Sequence, residues 1–80
     1  DDLSKKVIND FINEFEKLSS PTREILEPVI KSLIDKHKTN FKGVGQPLRI
    51  ALVGSRFGPG LYDVILSLDK AEVIKRLKSV

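Results

Sequence analysis

The residues best suited to chemistry surround a glycine-rich turn at residues 54–60. Arg49 and Arg56 supply cations there, Phe57 supplies a flat ring, and Gly58-Pro59-Gly60 leaves the backbone open to close approach. Single-stranded RNA is recognised by these groups, because phosphates need cations and unstacked bases need flat surfaces and backbone partners. Composition alone supports RNA recognition no more than a structural interpretation, in which Phe57 anchors the core and the glycines only form a turn.

The sequence lacks the residues that a phosphate loop, a metal site or a catalytic triad would need. A phosphate loop requires Lys followed by Ser or Thr after its last glycine, and Leu61-Tyr62 stands there instead. His37 is the only histidine and the chain has no Cys, so a metal site lacks ligands, and we expect His37 to be exposed at a helix end. Ser55 has no histidine near it in sequence. The sequence predicts no catalytic residue and no metal site.

Length and composition indicate one small domain over residues 1–80. The absence of Cys excludes disulfides, and no apolar run is long enough to span a membrane. No secretory signal is visible, and we expect a cytoplasmic protein. The chain also contains no Met, and we interpret it as a fragment of a longer protein.

Basic charge is concentrated in the second half of the chain. Residues 1–40 contain seven Lys or Arg and eight Asp or Glu, whereas residues 41–80 contain seven and three. No acid lies between Lys36 and Tyr62. A polyanion would be attracted to this region, although charge alone favours a solvated basic surface.

Apolar residues recur at helical spacing in the first half. The first amphipathic helix has an apolar face formed by Leu3, Val7, Ile8, Phe11, Ile12, Phe15 and Leu18. Thr22 is the predicted N-cap of a second helix, which either kinks at Pro28 or begins near it. Its apolar face comprises Ile25, Leu26, Val29, Ile30, Leu33 and Ile34. We expect Asn40 to take a left-handed conformation after its end.

Three shorter helices are predicted in the second half. Residues 41–46 are expected to form a loop, with Pro47 as the first residue of a helix that Gly54 ends. Pro59 is expected to open the fourth helix, and Asp69 with Glu72 to form the capping box of the fifth. Lys75, Arg76 and Lys78 are expected to stay outside. The predicted fold class is therefore all-α, a small bundle or cage of about five helices.

Residues 46–77 resemble the C-terminal anticodon-binding domain of bacterial-type glutamyl-tRNA synthetases. The resemblance depends on three features in the family's order and spacing. These are Pro47-Leu48-Arg49 entering an apolar run closed by Gly54, the motif Gly58-Pro59-Gly60-Leu61, and the helix start at Asp69-Lys70-Ala71-Glu72. The first forty residues match only in pattern.

The resemblance implies an all-helical cage that receives splayed anticodon bases. Arg49 would contact one base, and the loop at Gly58-Pro59-Gly60-Leu61 would contact another, partly through its main chain. The implied nucleic-acid-binding residues are therefore Arg49, Arg56, Phe57, Gly58, Pro59, Gly60 and Leu61. The parent would be a class I synthetase that uses ATP and Mg²⁺ to attach glutamate to tRNA(Glu), and in some family members to tRNA(Gln). The fragment, a monomer without cofactor, would catalyse nothing.

Two residues depart from the family pattern. Many members have Thr or another polar residue where Gly58 stands, so a side-chain contact from that position is lost. Pro21 stands where an aromatic residue often precedes the Thr that matches Thr22, and this affects the expected N-terminal packing. The alternative function, from a different class, is a helical protein-interaction module without an RNA-binding role.

Overall fold

The computed structural model describes residues 2–55 and 58–80, and within them the chain forms five α-helices and no strand. The helices are α1 (Asp2–Glu16), α2 (Arg23–Lys36), α3 (Phe41–Val53), α4 (Leu61–Ser67) and α5 (Lys70–Lys78). The predicted all-α class and the number of helices are confirmed. No helix in these ranges is long and apolar enough to cross a membrane.

The core is arranged around α3, which packs against each of the other four helices. The apolar faces predicted from helical spacing meet there, and Phe11 stacks on Phe15 with ring centroids 5.3 Å apart. The buried side chains are Val7, Ile8, Phe11, Ile12, Phe15, Leu26, Ile30, Leu33, Val44, Leu48, Leu52, Leu61, Val64, Ile65, Val73 and Leu77. Leu3 and Ile25 were predicted on apolar faces but are exposed, since each lies in the first turn of its helix.

Helix α2 begins where the capping residue places it. The Thr22 side chain accepts a hydrogen bond from the Ile25 backbone N–H at 3.3 Å, which confirms Thr22 as the N-cap. A helix start near Pro28 is wrong, because α2 already begins at Arg23 and contains Pro28. Proline in the helix interior removes one backbone hydrogen bond, and the packed face of α2 outweighs that loss.

Helix α3 is longer than predicted. Residues 41–46 are helical, not a loop, and Pro47 lies inside the helix instead of opening it. Asn40 is extended and its side chain accepts a hydrogen bond from the Gly43 backbone N–H at 2.8 Å, so it is the N-cap of α3. The left-handed conformation expected at Asn40 occurs instead at Lys38, with φ of 53°.

The turn and the last two helices begin close to the predicted places. Gly54 ends α3, as predicted, and it does so in the left-handed conformation with φ of 73°. Pro59 does not open α4, because Gly60 is its N-cap and Leu61 its first residue. Asp69 is the N-cap of α5 but makes no side-chain capping bond.

Cations from α5 bind carbonyl groups at the ends of α1 and α3. Lys70 Nζ donates to the carbonyl of Glu16 at 2.9 Å and also to that of Leu18, while Arg76 Nη1 donates to the carbonyl of Leu52 at 2.8 Å. These carbonyls lie at helix C-termini, where partial negative charge accumulates. Arg76 is therefore half-buried, not outside as predicted.

The predicted capping box at α5 is wrong. The Glu72 carboxylate accepts a hydrogen bond from Arg76 Nε at 2.7 Å instead of reaching back to the helix start. An Arg four residues along the same helix face competes successfully with the backbone N–H for this carboxylate.

His37 joins α2 to α1 instead of lying exposed. Its side chain is 10% exposed, and His37 Nε2 lies 2.8 Å from Oδ2 of Asp10. Lys36 Nζ approaches the same oxygen at 3.0 Å. Burial alone would raise the pKa of the Asp10 carboxyl, but the hydrogen bonds and charges of Lys36 and His37 bring that pKa below its usual 3.8. The expectation of an exposed His37 failed because Asp10 is distant in sequence.

Asp10→Asn should lower the melting temperature at pH 7 and make less difference in acid. A depressed folded-state pKa stabilises the fold above the unfolded value, and this contribution is lost as pH falls through the folded value. The difference in melting temperature between wild type and Asp10→Asn should therefore shrink below about pH 4. Thermal unfolding of both proteins at pH 7, 5, 4 and 3 measures this difference in melting temperature. Glu14→Gln, at an exposed pair with Lys17, is the control and should change little. A constant difference for Asp10→Asn at every pH would contradict this account.

Candidate functional site

A cavity of about 410 Å³ opens between α3 and the start of α4. Its walls come from the beginning of α2, one face of α3 and the first residues of α4. The lining residues are Arg23, Phe41, Lys42, Gly45, Gln46, Arg49, Gly60, Leu61, Tyr62 and Asp63.

The face of α3 that lines the cavity follows helical spacing. Phe41, Gly45 and Arg49 are four residues apart and therefore lie along one side of the helix. A Cβ added to Gly45 would lie 3.5 Å from the Phe41 ring and 3.6 Å from Leu61 Cδ2. Both distances are ordinary van der Waals contacts, so Phe41 and Leu61 lie close to this position of α3.

Arg49 approaches the glycine turn. A Cβ built on Gly58 would lie 3.6 Å from Arg49 Nη2, and Gly58 has φ of 120°, a conformation that glycine adopts far more easily than other residues. Arg49 Nε and Nη2 are buried and have no hydrogen-bond partner among the described residues. Buried donors without acceptors are unfavourable, so their presence calls for a structural or functional reason.

Neither Glu72 nor Asp63 neutralises the charge of Arg49. Glu72 is paired with Arg76. Asp63 lines the same cavity, but no ion pair within 4.0 Å joins it to Arg49 in the described part of the chain. The Arg49 side chain therefore has no ion-pair partner among the described residues.

Two aromatic rings and a second arginine also line the cavity. The Phe41 and Tyr62 ring centroids are 6.1 Å apart, with planes tilted by 47°. The Arg23 guanidinium lies 5.0 Å above the Tyr62 ring, within the range of a cation–π contact. Burial and the nearby Glu27 carboxylate raise the pKa of the Tyr62 phenol above 10 although Arg23 lowers it, so the hydroxyl stays protonated at neutral pH.

The site residues predicted from the sequence are partly brought together. Arg49, Gly60 and Leu61 line the cavity, and Gly58 lies near Arg49 Nη2. Pro59 is exposed beside them. The Leu61 side chain is only 3% exposed and belongs to the core, so an RNA contact at this residue would have to use mainly its backbone. The predicted contacts of Arg56 and Phe57 fall outside the described residues.

Sequence reasoning missed most of the remaining lining. The missed residues are Arg23, Phe41, Lys42, Gln46, Tyr62 and Asp63. Phe41 and Gln46 were assigned to a loop, and this assignment hid their shared face with Arg49. Helical spacing continued backwards from Arg49 would have placed Phe41 and Gly45 on that face.

The cavity combines positive charge with flat surfaces. Arg23, Lys42 and Arg49 line it against the single carboxylate of Asp63. Such a combination suits a flat ligand attached to anionic groups. Within residues 2–55 and 58–80, no group of three or more His, Asp or Glu side chains could hold a metal ion.

Comparison with known proteins gives consistent matches. The family described as anticodon binding domain matches residues 1–80. Glutamate–tRNA ligase from Pelagibacter ubique (strain HTCC1062) is 54% identical over 77 residues, which cover 96% of this chain and 16% of that relative. Glutamate–tRNA ligase 1 from Syntrophus aciditrophicus (strain SB) is 39% identical over 61 residues, covering 76% of this chain and 13% of the relative.

A third similar protein is also a glutamate–tRNA ligase. Glutamate–tRNA ligase 1 from Petrotoga mobilis (strain DSM 10674 / SJ95) is 36% identical over 74 residues, covering 92% of this chain and 16% of the relative. The chain thus spans 13–16% of the length of these curated relatives. No solved structure matches the chain.

Proposed function

Because this chain belongs to the anticodon binding domain family, we propose that it binds the anticodon loop of tRNA(Glu) as one domain of a glutamate–tRNA ligase. The observation that supports this best is the side chain of Arg49, which lines the cavity and has two guanidinium nitrogens without a hydrogen-bond partner among the described residues. A guanidinium can stack on a base and donate in-plane hydrogen bonds at once. The glycine turn allows the RNA to approach the backbone closely.

The parent ligase in this proposal attaches glutamate to the tRNA and uses ATP and Mg²⁺ to do so. This chain contributes binding of the tRNA and none of the reacting groups. The proposed protein acts in the cytoplasm, and the proposed state of the chain is a monomer. Charging of tRNA(Gln) by the same parent would depend on regions beyond these residues.

The proposal predicts anticodon-dependent and salt-dependent binding of RNA to the 80-residue chain. A fluorescently labelled anticodon stem-loop of tRNA(Glu) should bind more tightly than the same stem carrying an all-adenine loop. Kd should rise with salt, because phosphate contacts release counterions. Fluorescence anisotropy at several salt concentrations measures both effects.

The control RNA is the stem closed by an unrelated tetraloop, which keeps the phosphates and lacks the loop bases. Equal affinity for all three RNAs would contradict anticodon recognition. No binding to any of them at low salt would favour the protein-interaction module instead.

A further inference from the structure

We propose that Arg23, Phe41 and Tyr62 form a stacking site for a nucleobase of the bound RNA, in the cavity that Arg49 also lines. This inference rests on the proposed function and assigns further residues of the same cavity. The three residues come from α2, α3 and α4, and all of them line it.

Phe41 provides an exposed ring that is held in place. Its side chain remains 48% exposed although it lies beside the core. The ring lies next to Gly45 of α3, and its centroid is 6.1 Å from that of the Tyr62 ring. A fixed, exposed aromatic surface is what single-stranded nucleic acids use for stacking, because each base offers a π face.

The Arg23 side chain is exposed and only weakly paired, so it can bind the sugar–phosphate backbone of such a base. Its only ion pair among the described residues is with Glu27 at 3.8 Å, and both side chains are more than half exposed. Exposed pairs of this kind contribute little free energy, so a phosphate can replace the carboxylate. The cation–π contact with Tyr62 keeps the guanidinium above the cavity meanwhile.

The lining favours a nucleobase over a peptide side chain. Gln46 with its amide and Arg49 with its guanidinium line the same cavity, and these groups can bind the polar edge of a base that stacks on Phe41. A volume of about 410 Å³ lies within the usual range for small-ligand sites. Three cations against one carboxylate suit the accompanying phosphates.

Tyr62 makes the test direct, because it is the only tyrosine and the chain has no tryptophan. Tyrosine fluorescence therefore reports on this cavity alone. Binding of the unlabelled anticodon stem-loop of tRNA(Glu) should quench it. Phe41→Ala should weaken that binding by about tenfold, the scale of one stacked base, whereas Phe41→Tyr should retain it. Arg23→Gln should also weaken it, by about threefold, and should reduce the salt dependence.

Leu66→Ala is the matched control, because Leu66 is an exposed apolar residue outside the cavity. Circular dichroism establishes that each variant is folded, and the exposed Arg23→Gln gives an answer even if Phe41→Ala unfolds. Unchanged affinity in both Phe41→Ala and Arg23→Gln, with unquenched Tyr62, would overturn the stacking site. The proposed function would survive that result if Arg49→Ala still weakened binding. Absence of RNA binding in the wild type would overturn both.

Discussion

Replacing Ile65 or Leu52 with alanine lowers the free energy of unfolding by about 2–5 kcal/mol, the usual cost of truncating a buried aliphatic side chain. Ile65 is 1% exposed in α4, and Leu52 is 2% exposed in α3, the helix that contacts all the others. A domain of this size has a total stability near the lower end of about 5–15 kcal/mol. Either variant should therefore come close to unfolding, as measured by urea denaturation followed by circular dichroism.

Each of these residues has an exposed neighbour that serves as its control. Leu66 follows Ile65 in α4, and Val53 follows Leu52 in α3, and both side chains are exposed. Leu66→Ala and Val53→Ala should each change the free energy of unfolding by less than about 1 kcal/mol. Equal losses at buried and exposed positions would show that the core is placed incorrectly.

Arg49→Ala should weaken binding of the tRNA(Glu) anticodon stem-loop by about 1–3 kcal/mol, which is roughly 5- to 150-fold in Kd. The reason is that Arg49 Nε and Nη2 have no acceptor within the described residues and lie beside the cavity. Arg49→Lys should restore little, because an ammonium cannot stack on a base and donate two coplanar hydrogen bonds. Titration of labelled RNA into each variant gives the change in Kd.

A structural role for Arg49 would produce a different pattern. Pairing with Asp63 or Glu72 would make Arg49→Ala destabilising without an effect on the RNA affinity of the folded protein. Glu72 is already paired with Arg76, and Asp63 is not within ion-pair distance of Arg49 in the described ranges. Lys42→Ala is a matched control, because Lys42 is a cation of the same cavity that has an ammonium group instead of a guanidinium. This variant should lose less RNA affinity than Arg49→Ala.

The helices were predictable because their apolar residues repeat at helical spacing and their ends carry local signals. The cap at Thr22 and the helix end at Gly54 depend only on neighbouring residues, and both were predicted from the sequence. Apolar periodicity also predicted most of the core. Signals that act within one turn of a helix are available without knowledge of the fold.

The first half of α3 could not be predicted, because its composition opposes the helix that it forms. Gly43, Gly45 and Pro47 all have poor helix propensity. Contacts of α3 with four other helices outweigh that preference. Gly45 lies among the buried residues of α3, near Phe41 and Leu61, and these neighbours appear only when the helices are assembled.

The candidate site also contains residues that the sequence could predict and residues that it could not. Arg49 and the glycine turn are close in sequence and belong to one recognisable motif. Arg23, Phe41 and Tyr62 lie on three helices, and only the fold brings them together. The pairing of His37 with Asp10 was missed for the same reason, since 27 residues separate them.

The measurement that tests the central claim most directly is the Kd of Arg49→Ala for the tRNA(Glu) anticodon stem-loop, determined together with its melting temperature. We predict a Kd at least about fivefold above that of wild type, with a melting temperature within a few degrees of it. A clear loss of melting temperature with an unchanged Kd for the folded variant would contradict the assignment of Arg49 to base recognition.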